Sequence, residues 1–430
     1  MKLLLRSVKI LCPRSAFHGK TKDILIENGT ITAIEKSIEP PRGATVHEGK
    51  GQVVSIGWMD LHTRFCDPGF EHKEDIESGI QAALQGGFTA VAVMPSTAPF
   101  VHSKSMVEYL LRKAEGKAVD LHPVGAVTKN GEGKEMAEMY DMHCSGAKAF
   151  SDDKHPIADA GMMLRALLYA KNFQGVVMHY ADDRSISGKG KMHEGVSSTK
   201  LGLAGMPAIA EELTIQRDLK LAAYADSAIH FSTISTAGSV QLIREAKKKG
   251  IRVTCDVAAH NLFFTDNDLA TFDSNLKVMP PLREAKDIKA LIDGVLDGTV
   301  DAVCSDHTPE DVENKKKEFD YANFGMIGLE TAFALANTAL SRHAKAIDKE
   351  AAMQTLIHAF SDKPRSILAL ALPEIIVGAQ ANLTVFDPNR EWTVSSKQLK
   401  SKSANTPLLG TSLKGKVIGV CHNNQWHLAE

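Results

Sequence analysis

Four residues, His62, Asp153, His179 and Asp306, are of types that bind divalent metals or move protons, and each stands at the end of a short apolar run. Hydrolysis at a metal centre needs such imidazoles and carboxylates to converge from several strand ends, one carboxylate bridging the ions and another carrying the proton. His230, His260 and His307 are further candidates of this kind. The most pointed stretch is Asp60-Leu61-His62-Thr63-Arg64, which follows the apolar run Val53-Val54-Ser55-Ile56-Gly57 and reads as a strand end. Two histidines one residue apart on a strand face the same side and reach one ion. Here the second place holds Arg64, a permanent cation that cannot ligate a metal and repels one. Each residue also has a plainer reading. A strand-end histidine is commonly just a satisfied polar group, Asp152-Asp153 could cap a helix, and Asp306-His307 could be a loop pair.

The elements that must position these groups are legible from the texture. Ala90–Met94 leads into Pro95-Ser96-Thr97, Ala147–Phe150 into Ser151-Asp152-Asp153, and Gly175–Met178 into His179. Ile229–Phe231 leads into Ser232-Thr233, Ile251–Val257 towards His260, and Ala302–Ser305 into Asp306-His307. Helix-like stretches separate these runs, so the pattern predicts βα units and a parallel sheet. Buried parallel strands ending in polar groups are what a (β/α)₈ barrel presents at its catalytic face. The flanks differ: strand-like runs at Leu3–Ile10, Asp23–Glu27 and Ile31–Glu35, with a turn signal at Asn28-Gly29, return in style at Asn382–Asp387 and Lys416–Val420.

Bulk properties set outer bounds. A chain of 430 residues suits a large barrel plus an accessory domain. The net charge of -2 gives no reason to expect nucleic acid or an anionic membrane as partner. No apolar segment reaches spanning length, and the start Met1–Leu5, interrupted by Lys2, does not read as a signal peptide. The six cysteines lack CxxC spacing, which argues for reduced thiols in a cytoplasmic protein and against a zinc finger. Lys247-Lys248-Lys249 is expected to close a helix at its negative end, and Lys315-Lys316-Lys317 to be solvated in a polar loop.

With these blocks in order, the chain resembles the dihydroorotases of the amidohydrolase superfamily. The resemblance rests on Asp60-Leu61-His62, Pro68-Gly69, Gly86-Gly87-Phe88-Thr89, Ala149-Phe150-Ser151-Asp152-Asp153, Pro280-Pro281-Leu282-Arg283, Asp306-His307, Phe324-Gly325, Gly328-Leu329-Glu330-Thr331 and Asn405-Thr406-Pro407. It implies an α/β fold, a (β/α)₈ TIM-like metal-dependent hydrolase barrel over residues 56–370. A small β-sandwich built from residues 1–55 and 371–430 completes it. The implied reaction is the interconversion of N-carbamoyl-aspartate and dihydroorotate in pyrimidine synthesis. The resemblance places metal ligands at His62, Asp153, His179 and Asp306, with Asp306 as the proton-shuttling group.

Six positions depart from that pattern. Arg64 and Thr233 stand where metal histidines are expected, and Cys66 replaces the arginine that clamps the substrate carboxylate. Ser96 and Met279 replace asparagines, and Glu310 replaces a histidine, all at substrate-contacting positions. One zinc ion at most is expected, and the guanidinium of Arg64 is expected to pair with Asp153 or Asp306 instead. The losses resemble those of the catalytically silent dihydroorotase homologues that partner aspartate carbamoyltransferase, with a homodimer implied by the family. Two other readings stay open: a hydrolase with an altered mononuclear site, and a self-satisfied buried polar network. Lys148, inside the strand before Asp153, is a side candidate for a carboxylated bridging lysine, with an ordinary structural role as its alternative.

Overall fold

The computed structural model describes residues 1–343 and 348–429. Its strands in chain order are β1 (Lys2–Ile10), β2 (Thr21–Glu27), β3 (Thr30–Glu35), β4 (Thr45–Glu48), β5 (Val53–Ile56) and β6 (Trp58–Thr63). Next come β7 (Phe88–Val93), β8 (Asp120–Gly125), β9 (Ala149–Phe150), β10 (Val177–His179), β11 (Met192–His193) and β12 (Gly205–Met206). The last six are β13 (Ile229–Phe231), β14 (Val253–Ala258), β15 (Ala302–Cys304), β16 (Leu383–Thr393), β17 (Ser412–His422) and β18 (Gln425–Leu428).

Eight parallel strands lie side by side in the order β6-β7-β8-β9-β10-β13-β14-β15. Every residue of β6 and β7 is buried, as expected where helices cover the outer face and side chains fill the interior. The ring is closed by a parallel bridge between Thr63 and His307 and by the Asp60 carboxylate, which accepts the Ser305 N–H at 2.6 Å and its hydroxyl at 2.7 Å. Six of the strands contain apolar runs visible in the sequence, and β6 contains the Asp60-Leu61-His62 stretch. The eighth, β8, was masked by its polar Asp120 and His122 and by Pro123.

The second sheet runs β18-β17-β16-β5-β1-β2-β3, with β4 beside β1, and so draws strands from both termini. Asn28 (φ 50°) and Gly29 (φ 80°) form the tight β2–β3 turn that their types suggest. Together the barrel and this antiparallel sheet realise the expected fold class.

Three expectations need correction. The run Val53–Gly57 does not begin the strand that carries His62. Instead, β5 pairs with β1 and β16 in the terminal sheet, and β6 starts the barrel on the other side of Gly57. A Cβ at Gly57 would lie 2.1 Å from Asn382 Oδ1 and 2.3 Å from Thr89 Oγ1, so only glycine lets the chain pass between the sheets. Trp58 then seals the junction, its ring centroid 4.7 Å from Phe333 and 5.2 Å from Phe386. Second, Lys315 is buried rather than solvated, donating to the carbonyls of Asn323 and Gly325. Third, Lys148 is exposed, so it cannot bridge metals inside the barrel. Lys247 and Lys248 do close the helix Ala237–Lys248. Among the described residues all six cysteines are unpaired and no helix is long and apolar enough to cross a membrane.

Over the barrel mouth lies a small apolar cluster of its own, formed by Met192, Leu269, Leu276, Val278, Leu282, Phe319 and Met326. It ties the β11–β12 ribbon to the segments after β14 and β15, making a cap.

Candidate active site

The C-terminal strand ends bring His62, Asp153 and Asp306 together. His62 Nε2 lies 3.0 Å from Asp153 Oδ1 and 3.4 Å from Asp306 Oδ1, and all three side chains are buried. Asp153 is in the left-handed region (φ 55°), as is Asp306 (φ 47°), so both carboxylates leave their strands at a sharp bend. His260 Nε2 has no hydrogen-bond partner and sits 3.8 Å from Asp306 Oδ2. Burial outweighs that carboxylate and lowers the His260 pKa to about 4, so its imidazole is neutral at pH 7.

Each carboxylate already has a cation of the chain's own. Arg64 Nε donates to Asp153 Oδ2 at 2.6 Å, the first of the two pairings open to it. Lys154 Nζ stands 2.9 Å from Asp306 Oδ1 and donates to Thr233 Oγ1 at 2.9 Å. Burial alone would raise the Asp153 carboxyl, but the Arg64 charge and the bonds from His62 and Arg64 hold it well below the usual carboxylate range. Asp153 is therefore ionised, and its charge is answered inside the protein.

His179 is buried but does not join this group. Its Nε2 accepts the Ile157 N–H at 2.9 Å, and Nδ1 meets Asp218 at 2.7 Å, so both ring nitrogens are engaged. His230 is likewise held by Asp256 and Thr254, and His307 by Glu74 and the Gly328 N–H. Asp152 accepts the N–H groups of Val127 and Thr128, a structural bond across the strand ends rather than a helix cap.

The positions expected to contact substrate are similarly engaged by the chain's own groups. Ser96 Oγ donates to Asp153 Oδ2 at 2.5 Å, and Met279 Sδ packs against the Arg184 guanidinium at 3.2 Å. Glu310 is ion-paired with Lys73 at 3.0 Å and accepts from Asn323. Cys66 is buried, which pushes its thiol up to about 12 despite Arg64 and Lys73 nearby, so it is neither an anion clamp nor a thiolate.

These residues do not fit a binuclear metal centre. A zinc ion needs free lone pairs from neutral imidazoles and carboxylates. Here the Nε2 of His179 is taken by a backbone N–H, Thr233 offers a hydroxyl already bonded to Lys154, and two fixed cations face the carboxylates. Lys154 is the residue that sequence reasoning missed. Its signal was present, a lysine directly after the bridging-type aspartate, but strand alternation points neighbours to opposite faces.

The fold is shared with solved hydantoinase structures. An L-hydantoinase (dihydropyrimidinase) structure from Arthrobacter aurescens superposes with a TM-score of 0.84 over 99% of this chain and 95% of its own, at 21% identity. A D-hydantoinase structure follows at 0.82, over 100% and 95%, at 22% identity. The sequence narrows this further. The Dihydro-orotase-like family model matches residues 51–239. A dihydroorotase of Syntrophus aciditrophicus is 40% identical over 97% of both chains, and one of Thermoanaerobacter sp. is 42% identical over 92% of this chain and 91% of its own. The chain belongs to the dihydroorotase family.

Proposed function

We propose that this chain is a non-catalytic dihydroorotase homologue that acts as a structural partner of aspartate carbamoyltransferase in pyrimidine synthesis. One observation carries the reading: Asp153 and Asp306, the two carboxylates a hydrolytic metal centre would use, are neutralised by Arg64 and Lys154 at 2.6 and 2.9 Å. An ion entering this mouth would have to displace the buried Lys154 and the half-buried Arg64 and leave them unpaired, which opposes binding. The replacement of the carboxylate clamp by Cys66 and the Lys73–Glu310 pair supports the same reading, because a dianionic substrate loses its bidentate partner and meets an added carboxylate.

The test is a dihydroorotate ring-opening assay with added zinc, run beside size-exclusion chromatography with and without the carbamoyltransferase. The expected result is no turnover and co-elution with the transferase. Turnover that disappears in His62→Gln would instead establish a mononuclear enzyme on His62, Asp153 and Asp306. Absence of both turnover and co-elution would sink the partner role.

A further inference from the structure

A cleft of about 1280 Å³ opens where the terminal sheet meets the helices Ala332–His343 and Lys349–Phe360, and none of the residues lining it belongs to the barrel mouth. Two irregularities of the sheet border it. β1 slips register between Leu5 and Val8, with Ser7 in the left-handed region (φ 56°), and the β16–β17 pairing shifts between Asp387 and Glu391. Such bulges bend a strand away from a flat contact. Ser7, Pro388 and Asn389 all line the cleft.

The floor is aliphatic. Leu11, Leu340, Ala352 and Leu356 are buried there, with Val53 and Met353 partly buried beside them. Among the described residues no aromatic ring lines the cleft, so a flat base has nothing to stack on. Asn337 is the one buried polar side chain of the lining, and its amide donates to the carbonyls of Pro388 and Lys414 at 2.9 and 2.8 Å. It leaves no donor to read a sugar or a base. Met353 adds a flexible thioether that adapts to the shape of an apolar guest.

The rim is cationic. Lys9, Lys50, Lys349 and Lys414 line the cleft, against the single carboxylate of Glu350. That carboxylate is taken by Lys9 at 2.8 Å. Among the described residues the ammonium groups of Lys50, Lys349 and Lys414 have neither an ion pair nor a hydrogen bond. Uncompensated charges of one sign around a concave surface raise the local concentration of the opposite ion. The volume matches or exceeds that of ligand pockets, roughly 300–1,000 Å³.

We propose that this cleft binds an amphipathic anion, an unbranched aliphatic chain with a carboxylate head of the fatty-acid type. The chain lies on the floor made by Leu11, Met353 and Leu356, and the head is held by Lys50, Lys349 and Lys414. Such a ligand touches β1, β5, β17 and both helices at once, and so ties the terminal sheet to the barrel.

The test is calorimetric titration of delipidated full-length protein with laurate below its micellar concentration, with thermal melting as a second readout. One laurate per chain is expected, with an upward shift of the melting temperature. Decanoate should bind about tenfold more weakly, since two methylenes leave the apolar floor, and neither acetate nor ATP should bind. The double change Lys50→Glu and Lys349→Glu should weaken laurate at least tenfold. Its ligand-free melting temperature should match the parent, because neither ammonium has a partner to lose. Met353→Gln should weaken laurate while leaving the dependence on the rim lysines in place. No saturable laurate binding by the parent, affinity independent of chain length, or affinity unchanged in the double variant would each overturn the assignment. ATP binding that is lost in the double variant would overturn the aliphatic class. None of these outcomes depends on whether the protein turns over dihydroorotate.

Discussion

The barrel mouth and the edge of the cap hold the same kinds of groups and neutralise their carboxylates with cations held to different degrees. At the mouth, Asp153 and Asp306 each have an internal cation. At the cap edge, the buried Arg283 sits 3.0 Å from His193 Nδ1, and Glu284 is paired with the exposed Lys286. A buried carboxylate must be answered by something. The mouth answers its buried carboxylates from inside the barrel, whereas the cap edge leaves Glu284 to a lysine at the surface. Residue type alone therefore does not mark a metal site; what decides is whether the groups are already paired.

The largest effect should come from breaking the mouth. Arg64→Ala leaves Asp153 buried with its main cation gone and should destabilise the protein by about 3–5 kcal/mol in urea unfolding at pH 7. Because the folded-state pKa of Asp153 is depressed, its contribution is present above the ordinary carboxylate range and is lost as pH falls through the folded value. The gap between parent and variant should therefore shrink in acid. A gap independent of pH would show that packing, and not charge, is what Arg64 supplies.

Opening the mouth sharpens the contrast from the other side. The triple change Arg64→His, Lys154→Ala and Thr233→His removes both cations and adds two imidazoles. It should raise the zinc content by at least one ion per chain over the parent, read by plasma mass spectrometry. If it does not, a barrier other than the two cations closes the site, and the engaged His179 becomes the first suspect.

The smallest change is expected for Glu310→Gln, below about 1 kcal/mol, since the amide keeps an oxygen for Asn323 and only the Lys73 pair is weakened.

Much of this molecule was legible because it depends on local pattern. Apolar stretches ending in polar residues marked six of the eight barrel strands, the run before His62 proved to belong to β5, and β8 escaped because proline and two polar residues break its pattern. Arg64 was legible as a misfit, since a permanent cation in a histidine's place needs no structure to be noticed. Lys154 was not. The left-handed bend at Asp153 (φ 55°) overrides strand alternation, and Thr233 and Asp306, both far along the chain, fix where the ammonium rests. The contact of Arg283 with His193 was equally invisible, because two distant parts of the chain meet there only once the cap has folded.

The sequence by itself determined the class of fold, the family, and the loss of the expected histidines, because strand periodicity and residue chemistry are properties of short segments. Tertiary structure alone decided which cation meets which carboxylate and that both nitrogens of His179 are engaged. Those outcomes turn on distances of a few ångströms between residues far apart in the chain, where the balance of desolvation and pairing is set by what else is buried beside them.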